Sequence, residues 1–182
     1  GYLRVPFQRE YLQNKKAPTP LDEEESRRAI ALDIVDHMEP GQYYLIGPGT
    51  TTAAVMEALG LPNTLLGVDV VRDRKLIKGD CGEQDLLRIL DDGPGKLIIT
   101  PTGGQGYLLG RGNQQISPPV LEKICRENII IVSVNSKILD LQGRPFYIDT
   151  GDDSMDRRLA GYYRIKIGYG SSIMYKVQAG NC

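Results

Sequence analysis

Metal-binding and disulfide chemistry have almost nothing to work with in this chain. There is one histidine, His37, and there are three cysteines, Cys81, Cys125 and Cys182, scattered and forming no CxxC pair. An odd, dispersed cysteine set argues against a disulfide framework and for a reducing, cytoplasmic setting. A single histidine without a cysteine cluster makes a transition-metal site a poor expectation. Charge of one sign is also missing. Lysine and arginine number 22 against 23 aspartates and glutamates, a net charge of −1, so no general attraction to nucleic acid or an acidic membrane is implied. No apolar run reaches the length of a membrane span, and the first residues do not form a signal peptide. The chain also opens on Gly1 rather than Met and runs straight into Tyr2-Leu3-Arg4-Val5-Pro6-Phe7, which reads as the middle of a longer protein.

What the chain does have is 41% hydrophobic residues over 182 positions, enough to bury the core of one α/β domain. The stretch around which it is organised is Tyr43 to Leu59. Tyr43-Tyr44-Leu45-Ile46 is a short apolar run of the buried-strand kind. Gly47-Pro48-Gly49-Thr50-Thr51-Thr52 follows, and Ala53 to Leu59 has Val55, Met56 and Leu59 at helical spacing. Glycines allow a sharp turn and close backbone approach. The threonines stand at a helix start, where unpaired N–H groups and a partial positive charge suit a phosphate or carboxylate. The run equally fits a tight strand-to-helix turn with a threonine cap. It is neither a P-loop nor the GxGxxG of a dinucleotide fold.

Residues 1–18 read as an extended arm and 19–182 as a single α/β domain. Thr19-Pro20 opens a helix whose early acids, Asp22 to Glu25, suit its dipole, and whose stripe is Ile30, Ile34 and Met38. Leu65 to Val71 reads as a second strand with Asp69 inside it, a costly position unless the carboxylate is paired. Leu76-Ile77 returns as a small hairpin. Asp80 and Glu83 have capping-box spacing for a helix carrying Leu86, Leu87 and Leu90. Lys96 to Pro101 is a third strand. It empties into a long glycine- and amide-rich loop, Thr102 to Gln115. Ser117-Pro118 caps another helix, and Asn128 to Val134 is the clearest core strand. Pro145 to Asp149 is a strand, Asp152 to Ala160 a helix, and the end an antiparallel hairpin around Gly168-Tyr169-Gly170. Apolar strands alternating with helices predict a mainly parallel sheet with helices on both faces, a Rossmann-like three-layer fold. Ligands of such sheets sit beyond the strands' carboxyl ends. The Gly47–Thr52 loop, Asp69, the Gly103–Gln115 loop, Asn135 and Asp149 are expected to share that edge.

The arm Gly1 to Phe7, the Gly47–Thr52 loop, the strand Leu66-Gly67-Val68-Asp69-Val70-Val71 and the run Gly103-Gly104-Gln105-Gly106 … Gly110-Arg111-Gly112-Asn113-Gln114-Gln115 resemble the C-terminal half of the predicted ATP-NAD kinase-like family that includes the acetoin-catabolism protein X. The resemblance implies a transferase that phosphorylates NAD or a related substrate with ATP or polyphosphate, in NADP biosynthesis. It also implies magnesium for the full-length enzyme, an N-terminal kinase-like domain as partner, and a homo-oligomer as one possible assembly. The family's Gly-Gly-Asp-Gly-Thr signature belongs to the N-terminal half and does not occur in this chain. Locally, the Gly47–Thr52 turn is also similar to the phosphate loop of sugar-phosphate isomerases, deaminases and acyl-CoA transferases.

On the kinase-like reading, Gly47, Gly49, Thr50, Thr51 and Thr52 hold a phosphate. Gly103, Gly104, Gln105 and Gly106 let backbone approach the ligand. Arg111 pairs with a phosphate, Asn113, Gln114 and Gln115 read amide or ribose groups, and Asp69 accepts from a hydroxyl or serves as base. Each also has a plainer role: Asp69 capping a loop, Arg111 in a surface pair, the amides satisfying loop backbone. Two other functions fit. One is a phosphosugar isomerase or CoA-transferase-like domain with Asp69 or Asp149 as base. The other is a non-enzymatic effector-sensing or dimerisation domain with the arm as interface.

Overall fold

A computed structural model describes residues 20–180; the arm predicted over residues 1–18 lies outside the described residues. These hold six α-helices and nine strands in one sheet. In chain order they are α1 (Pro20–Asp36), β1 (Tyr43–Ile46), α2 (Thr50–Leu59), β2 (Val68–Arg72), β3 (Lys75–Cys81), α3 (Glu83–Asp92), β4 (Gly95–Ile99), β5 (Tyr107–Leu109), α4 (Pro118–Ile124), β6 (Ile129–Val132), α5 (Asn135–Leu139), β7 (Phe146–Ile148), α6 (Asp153–Leu159), β8 (Gly161–Gly168) and β9 (Ser171–Ala179). The sheet order is β3-β2-β1-β4-β6-β8-β9-β7-β5.

The four central strands β1, β4, β6 and β8 are parallel neighbours. This is why they read as unbroken apolar runs: Leu45, Leu97, Ile99, Ile131 and Ile165 face one core, and Tyr44, Ile46, Ile98 and Val132 face another. The first core is closed by Leu86 of α3, Val120, Leu121 and Ile124 of α4, and Met155 and Leu159 of α6. The second is closed by Ile30, Ala31, Ile34 and Val35 of α1 and Val55 and Met56 of α2. Each fully buried Val, Leu, Ile or Met side chain among them contributes about 1.5–3 kcal/mol. The result is the expected three-layer α/β arrangement, with β8 and β9 as the expected antiparallel hairpin.

The sheet also curls. Thr102 donates its N–H to the carbonyl of Tyr107 at 2.9 Å, yet it lies three residues beyond Ile99 of β4, within about 11 Å of chain reach. In a flat sheet β4 and β5, five positions apart, would be separated by about 24 Å. The far end must therefore fold back over β4, and Leu108 and Leu109 accordingly share a core with Leu97 and Ile99.

Three local expectations are corrected. The Thr102–Gln115 stretch is not a loop throughout, since Tyr107–Leu109 form β5. Helix α3 is not opened by an Asp80–Glu83 box: Asp80 ends up inside β3, Gly82 is the N-cap, and the carboxylate of Asp85 accepts from the Gly82 N–H at 3.0 Å. Asp149 does not follow a strand of the central direction. β7 runs parallel to β9, which is antiparallel to β8, and it is the curl that brings its carboxyl end beside Gly110 and Arg111.

Candidate functional site

Strand β1 ends at Ile46, and the chain crosses directly into α2 through Gly47, Pro48 and Gly49. Gly47 continues the β1–β4 ladder, its N–H bonded to the Ile98 carbonyl at 2.9 Å. A Cβ there would lie 3.3 Å from that carbonyl and 3.8 Å from Ile116 Cδ1, so the segment just after Asn113–Gln115 packs against this turn. Gly49 is the N-cap of α2 with φ 136° and ψ 165°, a region essentially open to glycine alone. A Cβ at Gly49 would stand 2.5 Å from Thr100 Cγ2. The turn after β1 and the segment after β4 are therefore in contact on the carboxyl rim of the parallel strands.

No side chain caps α2. Its first-turn amides, Thr50 to Thr52, have no intrahelical acceptor. The Gly49 carbonyl is used twice, by the Ala53 N–H at 3.0 Å and by the Thr52 hydroxyl at 3.1 Å. Thr51 and Thr52 are buried, whereas Thr50 is exposed and Gly49 half-buried. The open end of the helix is thus the Gly49–Thr50 corner, and of the three hydroxyls only that of Thr50 stands on the surface.

Asp69 pairs with Ile46 across the β1–β2 ladder, which sets it on the same rim. It is 3% exposed. Its Oδ2 accepts from the Thr64 N–H at 2.9 Å, and its Oδ1 accepts from the Asp80 N–H at 2.9 Å and from the Thr64 hydroxyl. The pairing that an acid in an apolar strand requires is thus supplied by two backbone amides and a hydroxyl. Thr64 lies only five residues before Asp69, whereas Asp80 reaches it across the β2–β3 hairpin.

In the second stretch, Gly103, Gly104 and Gln105 are exposed and Gly106 is buried. Arg111 lies with its guanidinium 4.0 Å from the Tyr107 ring centroid and 3.6 Å from Asp149 Oδ2, and its carbonyl accepts from the Thr102 hydroxyl at 3.0 Å. Asn113 is 1% exposed; its amide donates to the Leu108 carbonyl and accepts from the Gly110 N–H, both at 2.9 Å. Gly110, at φ 95°, packs so closely on the Asp149 carbonyl that no Cβ could fit. Asn113 therefore closes the turn that joins β5 to the rim. Gln114 is exposed and Gln115 half-buried. Asn135 opens α5 just beyond β6. The Gly47–Thr52 turn, Asp69 and Thr100 gather on one rim with Ile116; Arg111 and Asp149 meet farther along, where β5 and β7 end. Thr100 itself was missed by sequence reading, although its place at the end of a core strand was a usable signal.

Among the described residues no group of three or more His, Cys, Asp or Glu side chains could hold a metal ion. No helix of the described residues is long and apolar enough to cross a membrane.

Fold and rim together define a three-layer α/β domain that presents an uncapped helix start beyond its central parallel strands. The family model of the ATP-NAD kinase C-terminal domain matches residues 40–177, and the chain belongs to that family. The family's name implies NAD and ATP as substrates. No curated protein and no solved structure matches the chain.

Proposed function

We propose that this chain is the ligand-binding part of an ATP- or polyphosphate-dependent NAD kinase-like enzyme of the acetoin-catabolism protein X type, working in the cytoplasm with an N-terminal kinase-like domain. The observation that carries the reading is the Gly49–Thr50 corner: a glycine-only N-cap with no side-chain cap, leaving first-turn amides of α2 facing the rim. In phosphoryl transfer the protein mostly positions groups and offsets spread negative charge. Gly47 and Gly49 bring backbone close, the amides of Thr50 to Thr52 and the Thr50 hydroxyl donate to a phosphate, and the helix dipole adds to the field.

The remaining roles belong to the same proposal. Gly103, Gly104, Gln105 and Gly106 border the ligand. Arg111, already balanced by Asp149, contributes a directed guanidinium. Gln114 and Gln115 offer amides, whereas Asn113 acts by holding the turn. Asp69, with both oxygens engaged, is a positioning residue before it is a base: it fixes residues 64 and 80 beside the rim. Magnesium arrives with the nucleotide phosphates in the full-length enzyme.

Calorimetric titration of the folded chain with NAD, NADP and ATP tests this. Saturable heat with at least one nucleotide is expected. No heat with any of the three would overturn the reading.

A further inference from the structure

Past α1, which packs on β8, the outer face at the far end of the sheet carries an open recess of about 380 Å³, lined by Gln105, Tyr107, Arg144, Tyr147, Gln178 and Gly180. Strand register explains its make-up. Tyr107 pairs with Tyr147, and Tyr147 with Gln178. The three thus form one row on the face opposite Leu108, Phe146, Ile148 and Val177, which are buried in the core.

The walls are fixed. The two tyrosine rings lie 5.4 Å apart at 35°. The Gly180 N–H donates to the Ile148 carbonyl at 2.8 Å, and a Cβ at Gly180 would come within 3.1 Å of the Tyr107 ring. Arg144 donates its Nε–H to the Leu141 carbonyl at 3.0 Å, and its own carbonyl accepts from the Tyr175 hydroxyl at 2.5 Å. One nitrogen of its guanidinium is thus tied to the chain, on an exposed side chain that lines the recess. No carboxylate lines the recess.

We propose that this recess binds a small planar anion of the nucleoside monophosphate class. Its volume is that of a small-molecule site. Tyrosine faces accept a heteroaromatic ring by stacking. The carboxamides of Gln105 and Gln178 both donate and accept, as ring edges require. Arg144 pairs with the phosphate through a charge-assisted fork. The site shares Gln105 with the residues assigned above, and Arg111 lies 4.0 Å from the ring centroid of its Tyr107, but it uses none of the α2 amides.

The test is titration with AMP, with adenosine and inorganic phosphate as comparisons, on the unaltered chain and on Arg144→Gln and Tyr147→Leu variants checked for native circular dichroism. Saturable AMP binding is expected, about tenfold weaker for adenosine and for Arg144→Gln, and about fivefold weaker for Tyr147→Leu. Should one variant fail to fold, the other carries the test. Absence of AMP binding, adenosine binding as tightly as AMP, or binding indifferent to both variants overturns the proposal, the last by assigning AMP to another site.

Discussion

Replacing Gly49 by alanine probes the corner on which the candidate site depends. Two costs are legible in the structure. The backbone at φ 136° and ψ 165° lies in a region that costs a residue with a side chain about 1–3 kcal/mol. The added Cβ would meet Thr100 Cγ2 at 2.5 Å. Thr100 is buried and escapes only by leaving its rotamer, at about 0.5–1.5 kcal/mol. The total is about 2–4 kcal/mol, read as a lowered urea midpoint with unchanged slope. The two costs separate in a double-mutant cycle. Thr100→Ser deletes the clashing methyl and alone costs about 1 kcal/mol. Combined with Gly49→Ala it should recover about 0.5–1.5 kcal/mol of coupling, leaving the backbone cost in place. A loss below about 0.5 kcal/mol for Gly49→Ala, or no coupling with Thr100→Ser, would refute the packing of this turn against the end of β4.

Asp69→Asn should destabilise by about 2–4 kcal/mol in the same assay, because an amide NH2 would confront one of the N–H donors now bound to the carboxylate; a neutral effect would contradict the three-bond geometry. Burial, followed by the nearby Asp85 carboxylate, pushes the Cys81 thiol up to about 11, while Cys125 is exposed. In a Cys182→Ser variant one thiol should therefore react quickly with a disulfide reagent at neutral pH and the second only in denaturant; two fast thiols would contradict the burial. Asp33 ties α1 to the β8–β9 turn, accepting from the Gly170 N–H at 3.0 Å and from Lys166 Nζ at 3.4 Å. Burial alone would raise its pKa, but the Gly170 N–H and the Lys166 ammonium pull it below the ordinary carboxylate value. Its stabilisation is then complete above that ordinary value and is lost as pH falls through the lowered one. Asp33→Asn should accordingly flatten the acid limb of a stability–pH profile, and an unchanged limb would contradict the pairing.

The central architecture was readable because its causes are local. Apolar runs such as Tyr43–Ile46 and Ile129–Val132 carry no polar alternation, and burial of both faces is what such runs require. The glycine–threonine turn was readable for the same reason. The expectation that Asp69 needs a partner held as physics; Asp80 is brought to it by the β2–β3 hairpin, and Thr64 by the turn just before β2. β5 escaped notice because three apolar residues among glycines look like loop until Tyr147 offers a ladder. The curl of the sheet and the reversed direction of β7 are long-range facts with no local signature. The recess at Tyr107, Tyr147 and Gln178 shows the same limit: each tyrosine is a period-two outward position, but only strand order makes them neighbours.

The central claim is that backbone amides at the start of α2 hold the ligand's phosphate, and Thr50→Pro tests it most directly. Proline is tolerated at a first helical position, where the N–H has no intrahelical acceptor, so the change deletes one N–H, and the Thr50 hydroxyl with it, while keeping the helix. Calorimetric affinity for the best-binding of NAD, NADP and ATP should fall by about tenfold or more with thermal stability preserved. Unaltered affinity in a stable Thr50→Pro variant would contradict the account.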